Sequence, residues 1–99
     1  MNINKNTFGD SEAAIVLAKI LNKKEDANQL SYVSSTWSQY NEYFNHYLEK
    51  VDKKYLKTTL SCLRKAFLER VEFSKLDTEV KTYLKNIMVT KFKKEFRAL

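Results

Sequence analysis

Residues 30–51 read LSYVSSTWSQYNEYFNHYLEKV, and their apolar positions decide the fold. Leu30, Val33, Trp37, Tyr40, Phe44, Tyr47 and Val51 recur at spacings of 3, 4, 3, 4, 3 and 4. A helix turns about 100° per residue, so this rhythm keeps all seven on one face, whereas a strand would alternate sides every residue. The stretch therefore predicts a helix with about three heptads of unbroken apolar seam. Ser34-Ser35-Thr36 is a poor helix interior, which leaves a kink or a restart capped by Ser34 or Ser35 open.

The rest of the chain agrees with helix. It contains no proline, one glycine (Gly9), and neither an Asn-Gly nor an Asp-Gly pair. Tight hairpins draw on those residues for their special backbone angles, so a sheet protein of this composition would lack its turns.

Upstream of the seam, residues 1–9 (MNINKNTFG) read as a frayed polar lead. Asp10 or Ser11 is placed to cap a first helix running to about Asn22, with Ala14, Leu17, Ala18 and Leu21 as its apolar face. Asp26 then caps the helix that carries the seam.

Downstream, Asp52 is the cap expected for a third helix bearing Leu56, Leu60, Leu63, Phe67 and Val71. No breaker separates it from the second, so fusion into one long helix stays open. Ser74 stands three residues before Asp77, like a capping box with Asp in place of Glu, and predicts a fourth helix with Leu76, Val80, Leu84 and Ile87 on one face. Phe92, Phe96 and Leu99 prolong that pattern. The expectation is an all-α protein: a compact three-to-four-helix bundle with short polar connections, in a single domain of 99 residues.

Composition narrows the function classes. With 43% hydrophobic residues the chain is too apolar for disorder. Nothing approaches the ~20 consecutive apolar residues of a membrane span, so no membrane partner is expected. The single cysteine excludes an internal disulfide, and Cys62 reads as a small buried apolar residue. Lys5 is the only basic residue ahead of the apolar run from Ala13 to Ala18, which is too short for a secretory leader and is preceded by Asp10 and Glu12; an intracellular, cytoplasmic address is expected.

Catalysis is disfavoured by inventory. One glycine cannot build a phosphate-cradling loop, and any histidine-assisted nucleophile would depend on His46 alone. Glu42, His46 and Glu49 share a helical face, but a lone histidine supplies neither a di-iron bundle nor a structural zinc site. Glu25-Asp26 and Asp77/Glu79 fall at presumed helix starts, where acids are expected for electrostatic reasons. No enzyme activity, cofactor or metal is expected.

Two surfaces remain. Residues 1–49 carry four basic against six acidic groups, a net −2, while residues 50–99 carry fourteen against six, a net +8. Such asymmetry suggests a polyanion-binding face. Lys50, Lys53, Lys54, Lys57, Arg64 and Lys65 occupy one arc of about 120° along about 22 Å of the third helix, with Leu68 projecting from the same arc. Lys91, Lys93, Lys94 and Arg97 extend the set on the fourth helix. The second surface is aromatic: Tyr32, Thr36, Gln39 and Tyr43 lie off the seam in a tyrosine-rich stretch charged only at Glu42, a composition typical of interfaces.

Thr36-x-x-x-Tyr40-x-x-x-Phe44-x-x-Tyr47-Leu48, followed by Leu60-x-x-Leu63-Arg64-Lys65-Ala66-Phe67, faintly resembles the helical core-binding domain of tyrosine recombinases over residues 35–73. The resemblance implies DNA contact. Its spacer is short for that family's intervening helix and no catalytic domain accompanies it, so no residue role is carried over.

The leading expectation is a non-enzymatic protein that docks on nucleic acid, DNA foremost, through the basic third and fourth helices. An acidic protein is the other partner that the same charge would suit. The alternative is a protein–protein module, inhibitory, immunity or regulatory, that uses the aromatic second helix. A homodimer paired along the heptad seam is a third arrangement.

Overall fold

The computed structural model describes residues 7–98, which form four helices: α1 (Glu12–Lys24), α2 (Ala27–Lys50), α3 (Lys53–Glu72) and α4 (Thr78–Ala98). They make an all-α bundle in which α4 packs against each of the other three. Leu99 lies outside the described residues.

Local signals set most helix ends. Ser11 caps α1 by accepting from the Ala14 amide at 3.1 Å, satisfying one of the donors that a helix start leaves free. The helix runs two residues past Asn22 and ends at Glu25, whose left-handed backbone (φ 53°) lets its amide reach the Leu21 carbonyl. Asp26 caps α2, accepting from the amides of Asn28 and Gln29 at 3.0 and 3.2 Å.

The α2 helix passes through Ser34-Ser35-Thr36 without a break. Three weak helix formers cost at most about 2 kcal/mol together. Burying Val33, Trp37, Tyr40 and Phe44 outweighs that at about 1.5–3 kcal/mol each. This seam faces inward: Tyr40 meets Phe67 of α3 at 5.3 Å between ring centroids, and its hydroxyl donates to the Met88 carbonyl of α4 at 3.1 Å. The face that might have joined two copies is therefore occupied within one chain.

Helices α2 and α3 are separate. The chain turns at Val51 (φ −89°, ψ 135°) and Asp52, with neither glycine nor proline, and Asp52 makes no side-chain cap bond. An unbroken helix over residues 27–72 would run about 69 Å and could not lay Phe67 on Tyr40. Packing across the turn supplies the break.

Two expectations are corrected. Ser74 does not open α4; its hydroxyl donates to the Val71 carbonyl and accepts from the Leu76 amide at 3.4 Å, closing the end of α3. Residues 7–9 are not a frayed lead, because Phe8 is buried and the Trp37 indole donates to the Thr7 carbonyl at 3.1 Å. Gly9 (φ 95°) supplies the bend that brings Phe8 inward, in a region that side chains rarely enter. Residues 1–6 of that lead lie outside the described residues.

A polar cluster ties the α1–α2 turn to the start of α4. Lys24 pairs with Asp77 at 2.8 Å and Glu79 at 3.3 Å. The Gln29 amide nitrogen donates to Asp26 at 3.0 Å and to Asp77 at 3.2 Å, while the Asp77 backbone amide donates to the Gln29 side-chain oxygen at 3.0 Å. The hydrogen bond from Gln29 holds Asp26 below the usual carboxylate range, and that from Lys24 does the same for Asp77. Lys85 acts likewise on Glu72 at the other side of the α3–α4 turn.

A carboxylate depressed in the folded state adds stability above its unfolded pKa and loses that contribution as pH falls through the folded value. Thermal stability should therefore decline as pH drops below about 4. Asp77→Asn should flatten that acid limb. Melting curves between pH 6 and pH 2 measure both effects, and parallel acid limbs for the two proteins would contradict the assignment.

Candidate nucleic-acid interface

The basic residues do not all gather on one flank. Lys50 is the last residue of α2 rather than part of α3, and it pairs with Glu49 at 3.5 Å. On α3, Lys53, Lys54, Lys57 and Lys65 are exposed, and Arg64 is half-buried with its guanidinium 4.1 Å from the centre of the Phe92 ring. From residue 53 to residue 68 the helix carries no acid; Glu69 is the first.

The α4 cations divide. Lys91 is half-buried against the Phe44 ring at 4.9 Å. Burial pushes its pKa down, with Lys94 adding to the effect and Glu95 opposing it. Lys91 and Lys94 line a depression of about 410 Å³ together with Thr7, Asp10 and Trp37. Phe92 and Lys94 are two residues apart, about 200° around the helix, so Lys94 projects away from the side that Arg64 covers. Lys93 and Arg97 are exposed. The α4 helix packs against α1, α2 and α3, which leaves no single broad open face for its cations.

Among the described residues, the salt bridges use Lys24, Lys50 and Lys85. Lys53, Lys54, Lys57 and Lys65 have no acid within salt-bridge distance. Lys57, Arg64, Lys65 and Leu68 border an open depression of about 490 Å³ whose remaining lining is Thr58, Ser61 and Cys62. Leu68 is partly buried against the core and narrows the cationic strip on one side.

The aromatic surface on α2 is partly consumed inside the molecule. Thr36 is buried at 4% exposure, because α2 is continuous there and turns it inward. Tyr32 donates to the Arg70 carbonyl at 3.4 Å, and Gln39 accepts from the Arg70 guanidinium at 2.8 Å. These three residues and Arg70 line a depression of about 400 Å³. Tyr43 is 49% exposed and stacks on Tyr47 with centroids 6.3 Å apart.

Cys62 is exposed, not buried as its residue type suggested. It lies with Tyr47, Thr58, Thr59 and Leu63 around a second depression of about 430 Å³. Tyr55, at 57% exposure, was also missed as a surface group; it precedes Thr58, Thr59 and Cys62 by three, four and seven residues, a helical spacing that marks a shared face. Glu42, His46 and Glu49 are exposed, and among the described residues no three metal-ligating side chains converge. No described helix is long and apolar enough to cross a membrane. No known protein family, curated protein or solved structure matches this chain.

Proposed function

We propose that this protein is a non-enzymatic binding module that docks on nucleic acid through the outer face of α3. The observation that carries the reading is the run Lys53, Lys54, Lys57, Arg64 and Lys65 in an acid-free stretch, four of the five exposed. Ion pairs that would quench such a row are formed elsewhere, at Lys24, Lys50 and Lys85. From Lys53 to Lys65 the row extends about 18 Å, enough to meet several phosphates. Contacts of this kind are electrostatic and position a backbone without reading its sequence.

A protein partner on α2 has less support, since Tyr32 and Gln39 already bond to Arg70 and Thr36 is interior.

Fluorescence titration against duplex and single-stranded oligonucleotides across salt tests the proposal. With about four phosphates contacted, log affinity should fall against log salt with a slope of about −3.6 on B-DNA, or about −2.8 on a single strand. Absence of binding to both at 50 mM salt overturns the reading. So does capture of polyglutamate with no affinity for either nucleic acid, which would point to an acidic protein.

A further inference from the structure

Resting on the nucleic-acid reading, we propose that the ligand is a single strand, held by its phosphates on the lysine edge of α3 and by its bases on a tyrosine edge across the same face. The two depressions on α3 share Thr58 and Cys62, both exposed, and so lie on either side of one outer strip of the helix. One rim is cationic, with Lys57, Arg64 and Lys65. The other is aromatic, with Tyr47, against which Tyr43 stacks at an interplanar angle of 24°.

Tyr55 stands at the N-terminal end of this face, 57% exposed, with the Lys54 ammonium 5.5 Å from its ring centre. The outer strip between the two sides carries short side chains, which let a strand approach the helix closely. Thr58 and Ser61 bring hydroxyls to the lysine side, whereas the Thr59 hydroxyl is taken by the Tyr55 carbonyl at 2.9 Å. Glu69, one turn past Lys65, ends the cationic rim.

Chemistry selects the ligand class. A duplex keeps its bases stacked inside and offers a flanking tyrosine ring only sugar and phosphate. A single strand presents unstacked base faces beside its phosphates, and aromatic rings set along a cationic track bind those faces without demanding a sequence. Lysines alone would suit either form; the tyrosines opposite them suit the single strand.

The test compares a 15-mer of oligo(dT) with a duplex of the same length by fluorescence anisotropy at one salt concentration. The single strand should bind at least tenfold more tightly. Tyr55→Ala, at an exposed position compatible with folding, should weaken single-strand binding by about five- to 150-fold while leaving duplex affinity unchanged. Cys62 provides an independent readout on the unaltered protein, as the one thiol in the chain. Its reaction with a disulfide reagent should slow under saturating oligo(dT).

Duplex binding as tight as single-strand binding, or an unprotected Cys62 together with unchanged affinity in Tyr55→Ala, overturns this proposal and leaves the cationic face standing. Loss of binding to both forms at 50 mM salt removes the broader reading as well.

Discussion

Tyr40→Ala is expected to lower the unfolding free energy by about 3–5 kcal/mol, the range found when large aromatic residues are cut from a core. Tyr40 is fully buried and touches three rings, with centroids 5.9 Å to Trp37, 5.6 Å to Phe44 and 5.3 Å to Phe67. Its hydroxyl bonds to the Met88 carbonyl, so one side chain on α2 joins α3 and α4. Burial drives its phenol pKa well above the ordinary value, as expected for a group kept neutral.

Truncation removes the ring contacts, leaves a cavity and strips a partner from a buried carbonyl. At about 4–8 °C per kcal/mol for a domain of this size, the midpoint should fall by about 12–40 °C. Tyr40→Phe separates the terms, since it forfeits only the hydrogen bond, about 1 kcal/mol. Denaturant unfolding followed by circular dichroism measures both. A Tyr40→Ala variant within 1 kcal/mol of the parent would contradict the packing of α4 on α2.

Lys57→Glu with Lys65→Glu should abolish most nucleic-acid affinity while preserving the fold. Both side chains are exposed and neither pairs with an acid, so little stability depends on them. Each reversal replaces an attraction to phosphate by a repulsion. A pair of unit charges 4 Å apart is worth about 1 kcal/mol in water, so a reversal swings about 2 kcal/mol and two swing at most about 4. Screening reduces that figure, giving a loss of about 30- to 500-fold at low salt.

Net charge alone could produce some of this loss, and α1 supplies the control. Lys19 and Lys23 are exposed there, and reversing them alters the total charge by the same amount. That variant should lose no more than about threefold. Equal losses in the two variants would mean that affinity follows total charge and has no seat on α3.

The fold was legible because its decisive information is local. Val33, Trp37, Tyr40 and Phe44 on α2, Leu56, Leu60, Phe67 and Val71 on α3, and Val80, Leu84 and Ile87 on α4 are buried as their spacing implied. Ser11 and Asp26 cap helices for reasons contained within three residues of chain. The Val51–Asp52 break had no such signature, nor did the inward turn of Phe8; both depend on surfaces far away in sequence.

The candidate site was legible only in part. The sequence shows an acid-free run of cations on α3 and an excess of positive charge in its second half. It does not show that Arg64 lies on Phe92, that Lys91 covers Phe44, or that Lys94 turns toward the N-terminal segment. Cys62 was misread because residue type argued for burial, whereas it stands two residues, about 200° of helix, from the buried Leu60.

By itself, then, the chain's periodicity determined where helices form and which stripe of each turns inward, since side chains three and four apart share a face whatever surrounds them. Tertiary structure alone decided which outward groups become neighbours. A helix can pack through one stripe at many angles, and only the placement of α2 beside α3 brought Tyr47 to the flank of α3 away from Lys57 and Arg64.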